Sequence, residues 1–142
     1  MSEPFVDADV IIRLLTGDDP EKQAEAAALF GEVEAGRLTI AAPDTVIADA
    51  VYVLSSPRLY RLPRLQVEAL LRPLVRLGNF RVSNKAIVQE ALYLYASSPI
   101  DFGDAMIVAS MQQAGSEVVY SYDADFDRLA TVVRHTPGDF VP

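Results

Sequence analysis

The chain of 142 residues contains no cysteine and a single histidine, His135. Without cysteine there can be no disulfide framework, no thiolate nucleophile and no thiolate-bound zinc. One histidine cannot build a histidine-rich metal site. Any metal or acid–base chemistry in this protein must therefore use carboxylates.

Long hydrophobic runs are also missing. Arg, Asp or Glu interrupts every apolar run before it reaches the roughly 20 residues of a membrane span. The first ten residues, MSEPFVDADV, lack the basic region and apolar core of a secretory signal. These features predict a cytoplasmic protein that does not enter a membrane.

Positive charge is scarce, since 12 Lys and Arg face 20 Asp and Glu for a net charge of −8. Nucleic acid phosphates attract basic surfaces, so generic adhesion to nucleic acid is excluded and any such site must be local. The hydrophobic fraction of 51% and mean hydropathy of +0.18 argue against disorder. We expect residues 1–142 to form one domain with one main core.

Short apolar segments alternate with segments of helical periodicity along the whole chain. This alternation is typical of a mostly parallel sheet covered on both faces by helices. One predicted helix contains a proline, Pro73, and must either tolerate it or kink there. The predicted strands are 4–7, 38–42, 80–83, 117–121 and 131–135, and the predicted helices are 10–17, 20–36, 43–54, 65–77, 85–96 and 102–114.

Acidic residues follow two of these strands directly. Asp7 ends the first strand and Asp123 follows the fourth, while Asp9 and Asp125 lie two residues further on. The carboxyl ends of parallel strands share one edge, where open α/β proteins place their functional crevice. Helix caps and Asx turns are the alternative interpretation, because Asp favours both at strand-to-helix junctions.

Three more acids lie in the predicted helices. Asp49 falls inside helix 43–54, and burying it unpaired would be costly, so we expect a cation, hydrogen-bond donors or a water-filled cleft beside it. Asp101 and Asp104 begin helix 102–114 near the positive end of its dipole, where a cap and a capping-box acid are the alternative. Four acids from separate segments are thus predicted to flank one edge: Asp7, Asp49, Asp104 and Asp123.

Such a cluster needs a neutralising partner, and carboxylate oxygens suit a hard cation such as Mg²⁺ or Mn²⁺. These ions hold a phosphodiester oxygen, lower the pKa of a bound water and stabilise the leaving oxygen without His, Cys or Lys. The pattern predicts metal-assisted chemistry on phosphate. Asp7, Asp104 and Asp123 would hold the ion, and Asp49 would bind it or orient the water.

Four motifs in this order resemble the PIN domain family and, within it, the VapC-type toxin ribonucleases. They are FVDADVIIRLL, PDTVIADAVYVL, DFGDAMIVASMQQAG and YSYDADFDRL, which together span nearly the whole chain. The resemblance implies a three-layer α/β/α sandwich, usually dimeric, with a mostly parallel sheet of four to five strands. It also implies RNA cleavage with Mg²⁺ or Mn²⁺ held by the four acids named above.

The same resemblance implies further partners and roles. Asp101 and Asp125 match accessory acids, and a small antitoxin could place a basic side chain in the acidic pocket. The family usually has Glu where this chain has Asp49, and the missing methylene shortens the reach by about 1.5 Å, enough to make the contact water-mediated. Asp9 stands where Asn is common, so it adds negative charge as a further accessory acid.

Half of the basic residues lie between 58 and 81. Arg58, Arg61 and Arg64 lie near a predicted helix break and form a candidate phosphate clamp for RNA. Arg72 and Arg76 fit a solvated helix face. Apolar helix positions, including Tyr52, Leu92 and Tyr95, are predicted to be exposed and to serve a homodimer or an antitoxin.

Two other functions remain open from the sequence. The segment DADV fits the Asp-x-Asp-x-Val/Thr signature of haloacid-dehalogenase-type phosphatases, with Asp7 as covalent nucleophile and Asp9 as acid/base. Against this, Val108 stands where a second acid is expected and Asp49 has no role. The remaining alternative is a PIN-like binding module that has lost turnover through Asp49.

Overall fold

The computed structural model describes residues 2–142, which form helices and short strands close to the predicted positions. Two 3₁₀ turns follow the last helix, at Ala124–Arg128 and Pro137–Asp139. The strands are β1 (Ile40–Ala42), β2 (Phe80–Val82), β3 (Val118–Tyr120) and β4 (Val133–His135). The helices are α1 (Ala8–Leu15), α2 (Pro20–Glu34), α3 (Asp44–Ser55), α4 (Arg64–Arg76), α5 (Lys85–Ser97) and α6 (Phe102–Ala114).

Strand pairing is parallel throughout the described residues, as the sequence predicts. In β1 and β2, Ile40 lies opposite Phe80, and an isolated bridge adds Phe5 to the other side of β1, opposite Ala41. The Val6 amide donates to the Ala41 carbonyl at 2.9 Å. In a separate sheet β3 pairs with β4. The α/β class is therefore as predicted, but the strands divide between two sheets instead of forming one.

The main core lies between the helices and the first sheet. All three residues of β1 are buried, as expected for a parallel strand covered on both faces. Fully buried side chains from the helices and β2 fill the space around it, among them Ile47, Leu54, Leu71 and Phe80. The β3–β4 sheet lies at the periphery, where Val118 and Tyr120 remain 43% and 52% exposed. Its chain segment anchors to the core through the buried Phe126.

One prediction about the helix faces needs correction. Leu92 and Tyr95 were predicted to be exposed, but they are 0% and 5% exposed, because this face of α5 packs between α4 and α6. Tyr52 is 74% exposed, as predicted, and Tyr93 presents the outer side of α5. Helix α4 runs through Pro73 to Arg76, as one of the two predicted possibilities allowed.

The helix ends explain why the acids lie where they do. Asp7 is the N-cap of α1 and Asp101 is the N-cap of α6. A side-chain oxygen at this position satisfies an amide that has no partner inside the helix. Over residues 2–142, no helix has both the length and the apolar character needed to cross a membrane.

Candidate active site

Asp104 is the most perturbed acid of the molecule. It is half-buried in the first turn of α6, and burial, followed by the charges of Asp101, Asp123 and Asp125, raises its pKa to about 6. Two pairs of acids, one at the start of α6 and one after β3, therefore interact electrostatically. Strong perturbation of a carboxyl by burial and like charges is a mark of functional sites.

At the start of α6, the two acids have different surroundings. Oδ1 of the exposed Asp101 accepts a hydrogen bond from the Asp104 amide at 2.8 Å. This is the capping interaction that was the structural alternative for Asp101, and the helix dipole favours a carboxylate there. Asp104 loses more of its water than Asp101, and its carboxylate is therefore the costly one to ionise.

The second pair of acids lies on a tight turn that follows β3. The Asp123 amide donates to Ser121 Oγ at 2.9 Å, and the Asp125 amide donates to Asp123 Oδ1 at 2.8 Å. Asp123 thereby caps the 3₁₀ turn Ala124–Arg128, as the Asx-turn alternative predicted. These hydrogen bonds fix the turn while leaving Asp123 exposed.

Arg134 on β4 is a residue of this site that the sequence analysis missed. Its Nε and Nη2 each lie 3.0 Å from an oxygen of Asp127, and Nη1 donates to the Ser121 carbonyl at 3.2 Å. Hydrogen bonding to Asp127 is the main cause that raises the pKa of Arg134, and the charge of Asp123 adds to it. The only sequence signal was its place in a predicted edge strand, which does not reveal the neighbouring turn.

Asp7 and Asp49 lie outside the group of acids that raises the pKa of Asp104. The Asp7 carboxylate accepts from the Ala8 amide at 2.6 Å and is exposed. Asp49 is exposed on α3, and residues 2–142 offer it neither a hydrogen bond nor an ion pair. Because water solvates it, the desolvation cost that predicted a cation or donors beside Asp49 does not arise.

Asp9 faces another part of the surface. It lines a cavity of about 390 Å³ between α1 and α2, together with Arg13, Lys22 and Glu25. The Asp9 carboxylate therefore lies near charged side chains of α1 and α2. The structure does not place Asp9 among the acids around Asp104.

The three arginines of the predicted phosphate clamp separate into two groups. The half-buried Arg64 donates through Nη1 to the carbonyls of Tyr95, Ser98 and Ile100, and its guanidinium carbon lies 4.5 Å from the Tyr95 ring centroid. Arg64 therefore joins α4 to the end of α5 instead of presenting a free cation. Arg58 and Arg61 are exposed, although Arg61 Nη2 donates to the Pro57 carbonyl at 3.2 Å.

The donor chemistry of the acids fits a hard divalent cation. Carboxylate oxygens are the ligands that Mg²⁺ and Mn²⁺ prefer, and a cation would relieve the repulsion that raises the Asp104 pKa. Within the part of the chain that the structure describes, no three acidic or histidine side chains are yet close enough to hold one ion together.

Parallel strands, flanking helices and this acidic cluster define an α/β protein with a carboxylate site. The chain belongs to the PIN domain family, because the PIN domain model matches residues 5–132. This confirms the predicted family and fold class. It also leaves the haloacid-dehalogenase interpretation of DADV without support.

Other comparisons add little to this assignment. No curated protein matches the sequence. A solved structure that is similar is that of Mycobacterium tuberculosis VapC20, described as a toxin that cleaves the sarcin–ricin loop. It is 20% identical, the alignment covers 88% of this chain and 93% of that one, and the TM-score is 0.39.

Proposed function

We propose that this protein is a metal-dependent endoribonuclease that hydrolyses RNA phosphodiesters with water, using Mg²⁺ or Mn²⁺. The observation that supports it best is the electrostatic interaction of Asp104 with Asp101, Asp123 and Asp125 in a chain of the PIN domain family. Carboxylates alone suffice for this chemistry, which agrees with the absence of cysteine and the single histidine.

Each acid has a distinct role in this proposal. Asp104 and Asp123 would hold the cation together with Asp7, although no three acids of residues 2–142 are close enough to share an ion in the structure. Asp101 and Asp125 would orient them and maintain the negative potential. A bound cation would supply polarisation of a phosphodiester oxygen and a lower pKa for a bound water. Asp49, exposed on α3, contacts this assembly through water or orients the nucleophile, and Asp9 contributes only long-range negative charge.

RNA binding is assigned to a small part of the surface. Arg58 and Arg61 are exposed cations on the loop between α3 and α4, and each contacts one phosphate. Arg64, which the sequence placed in the same clamp, donates to backbone carbonyls at the end of α5 and is not assigned to RNA. The strongly acidic remainder of the molecule keeps RNA at these contacts.

The biological setting proposed is that of a cytoplasmic toxin, homodimeric and paired with a small antitoxin. Exposed apolar side chains on helices, among them Tyr52, Leu65 and Tyr93, offer area for such contacts. Expression of the chain in a bacterial host should arrest growth, and co-expression of the adjacent small open reading frame should relieve the arrest. Normal growth with active, soluble protein would contradict the toxin role.

The direct test is cleavage of total RNA by the purified chain in EDTA, in Mg²⁺ and in Mn²⁺. We expect cleavage only with metal. Asp104→Asn and Asp123→Asn should each lower the rate on the order of 100-fold or more, the scale seen when a group that stabilises transition-state charge is lost. Glu34→Gln is the control, since it removes an exposed negative charge near the end of α2.

Two results would overturn this proposal. Cleavage in EDTA at the rate seen with Mn²⁺ would contradict the metal dependence. Full activity of Asp104→Asn would contradict the catalytic role of the acid cluster. The second candidate is a PIN-like binding module without turnover. It is favoured by the exposure of Asp49 and by the separation of the carboxylates, since no three of them in residues 2–142 are close enough to hold one ion. Metal binding without cleavage of several different RNAs would support that candidate instead.

A further inference from the structure

The turn that carries Asp123 and Asp125 is tied at both ends to one side chain on the neighbouring strand. Arg134 of β4 donates to the carbonyl of Ser121 before the turn and to both carboxylate oxygens of Asp127 after it. Because β3 and β4 are parallel with Val119 opposite Arg134, this side chain reaches across to the segment that leaves β3. Three hydrogen bonds therefore span the acid-bearing turn.

This ion pair has two hydrogen bonds and a more buried arginine than the other pair near the site. The Arg134 side chain is 20% exposed, the Asp127 side chain is 53% exposed, and two N–H groups of Arg134 each donate to one oxygen of Asp127, a geometry that specifies position as well as charge. By contrast, Arg128 meets Asp125 at 3.6 Å with both side chains about half exposed. Exposed pairs of that kind contribute little.

Ser121 connects Arg134 to Asp123, because it accepts a hydrogen bond from each of them. Ser121 accepts from Arg134 through its carbonyl and from the Asp123 amide through Oγ. Asp123 Oδ1 in turn accepts from the Asp125 amide. Movement of Ser121 or Asp127 would therefore change the direction in which the Asp123 carboxylate points.

We propose that Arg134 is a positioning residue, which holds the Ser121–Asp127 turn so that Asp123 and Asp125 face Asp104. The inference rests on the proposed function, because that function assigns Asp123 and Asp125 their roles at the metal site. Arg134 acts through its fork of donors and touches neither RNA nor the cation. Groups that orient metal-binding carboxylates from behind commonly affect metal affinity about 10-fold to 100-fold.

Position and charge predict opposite effects on metal affinity. If Arg134 were only a nearby positive charge, Arg134→Gln would strengthen Mn²⁺ binding by removing a repulsion. If it positions Asp123, the same variant should weaken Mn²⁺ binding about tenfold or more. Arg134→Lys keeps the charge and loses the fork, so positioning predicts that it also weakens binding.

The experiment measures three quantities for wild type, Arg134→Gln, Arg134→Lys and Asp127→Asn. The first is hydrogen exchange of the Asp123 and Asp125 amides in EDTA, which should accelerate in all three variants. The second is Mn²⁺ affinity by titration calorimetry, and the third is RNA cleavage, where kcat should fall with little change in KM. Arg128→Gln is the matched control, because it also removes one positive charge beside the turn, that of the weak pair with Asp125, and leaves the hydrogen bonds of Arg134 intact.

The outcomes separate this inference from the proposed function. If Arg134→Gln exchanges its turn amides like wild type and binds Mn²⁺ equally or more tightly, the positioning role is wrong. If Arg134→Gln does not fold, Asp127→Asn decides the question from the other side of the pair. A wild-type protein that neither binds Mn²⁺ nor cleaves RNA would overturn the proposed function, while amide exchange in the metal-free protein still tests the hold of Arg134 on the turn.

Discussion

Asp104 is costly to ionise in the metal-free protein because burial and three neighbouring acids oppose its charge. Its pKa of about 6 lies above the ordinary value of 3.8, so the folded state binds this proton more tightly than the unfolded state. The contribution of Asp104 to the free energy of unfolding therefore falls as pH rises from about 4 to about 6 and remains low above that range.

Removing this charge should stabilise the metal-free protein at neutral pH. In EDTA at pH 7 we expect Asp104→Asn to raise the free energy of unfolding by about 1 kcal/mol, after allowance for solvent screening of a half-buried group. The gain should fade as the pH approaches 4, where wild-type Asp104 is protonated. Urea unfolding at a series of pH values measures the difference.

Mn²⁺ should reverse the order of stability, because a ligand stabilises only the protein that binds it. Wild type is expected to gain stability with added Mn²⁺, and Asp104→Asn should gain much less. Glu34→Gln controls for the general loss of negative charge. An Asp104→Asn variant that is less stable than wild type at pH 7 in EDTA would show that the Asp104 charge does not destabilise the metal-free protein.

At the scale of elements, α6 positions one half of the acid cluster and has well-defined ends. Asp101 caps its first turn, and Gly115 ends it in the left-handed region with φ 72°. The Gly115 amide donates to the Gln112 carbonyl at 3.2 Å, and the Ser116 amide donates to Met111 at 2.9 Å. These bonds satisfy carbonyls that the helix itself leaves without partners.

Two glycines in open surroundings allow the backbone contribution to be measured by itself. A Cβ added at Gly115 or at Gly31 would meet nothing within 4 Å. Gly115→Ala should nevertheless lower the free energy of unfolding by about 1 kcal/mol, because L residues pay for a left-handed conformation. Gly31→Ala, inside α2, should raise it by about 0.5–1 kcal/mol, since alanine is the better helix former.

Chemical unfolding of the two glycine variants at pH 7 tests these opposite signs. Both substitutions add the same methyl group, so any general effect of an added methyl cancels in the comparison. Equal shifts for Gly31→Ala and Gly115→Ala would mean that the left-handed backbone at Gly115 does not determine where α6 ends.

The molecule as a whole carries a charge of −8 and should repel RNA except at local contacts. With Arg58 and Arg61 as two phosphate contacts, log affinity for single-stranded RNA should change with log salt by a slope of about −1.4. Affinity would then fall roughly sevenfold between about 50 and about 200 mM KCl. Proteins with many phosphate contacts show a far steeper dependence.

Fluorescence anisotropy in EDTA, where the RNA is expected to stay intact, measures this slope. Replacing both Arg58 and Arg61 by Gln should bring it close to zero. Arg37→Gln is the control, because that arginine pairs with Glu32 at 2.7 Å after α2. An unchanged slope in the double variant would place the RNA contacts elsewhere on the protein.

The sequence by itself determined the elements, their order and the family. The bounds of α6 were predicted to the residue, and four of the five strands to within one or two residues, because periodicity, caps and turn residues act over a few positions along the chain. The predicted strand 4–7 is reduced to an isolated bridge at Phe5. The four ordered motifs resembled the PIN domain family, to which the chain belongs. Asp101 as a helix cap was likewise a local inference.

Only the tertiary structure decided the surroundings of each side chain. In the folded chain, the charges of Asp101, Asp123 and Asp125 act on Asp104. Arg64 donates to backbone carbonyls, and Arg134 donates to the acid-bearing turn. Burial, charge coupling and hydrogen-bond partners depend on residues far apart in sequence, and local patterns contain no information on those distances. The same reason explains why the prediction that Leu92 is exposed was wrong.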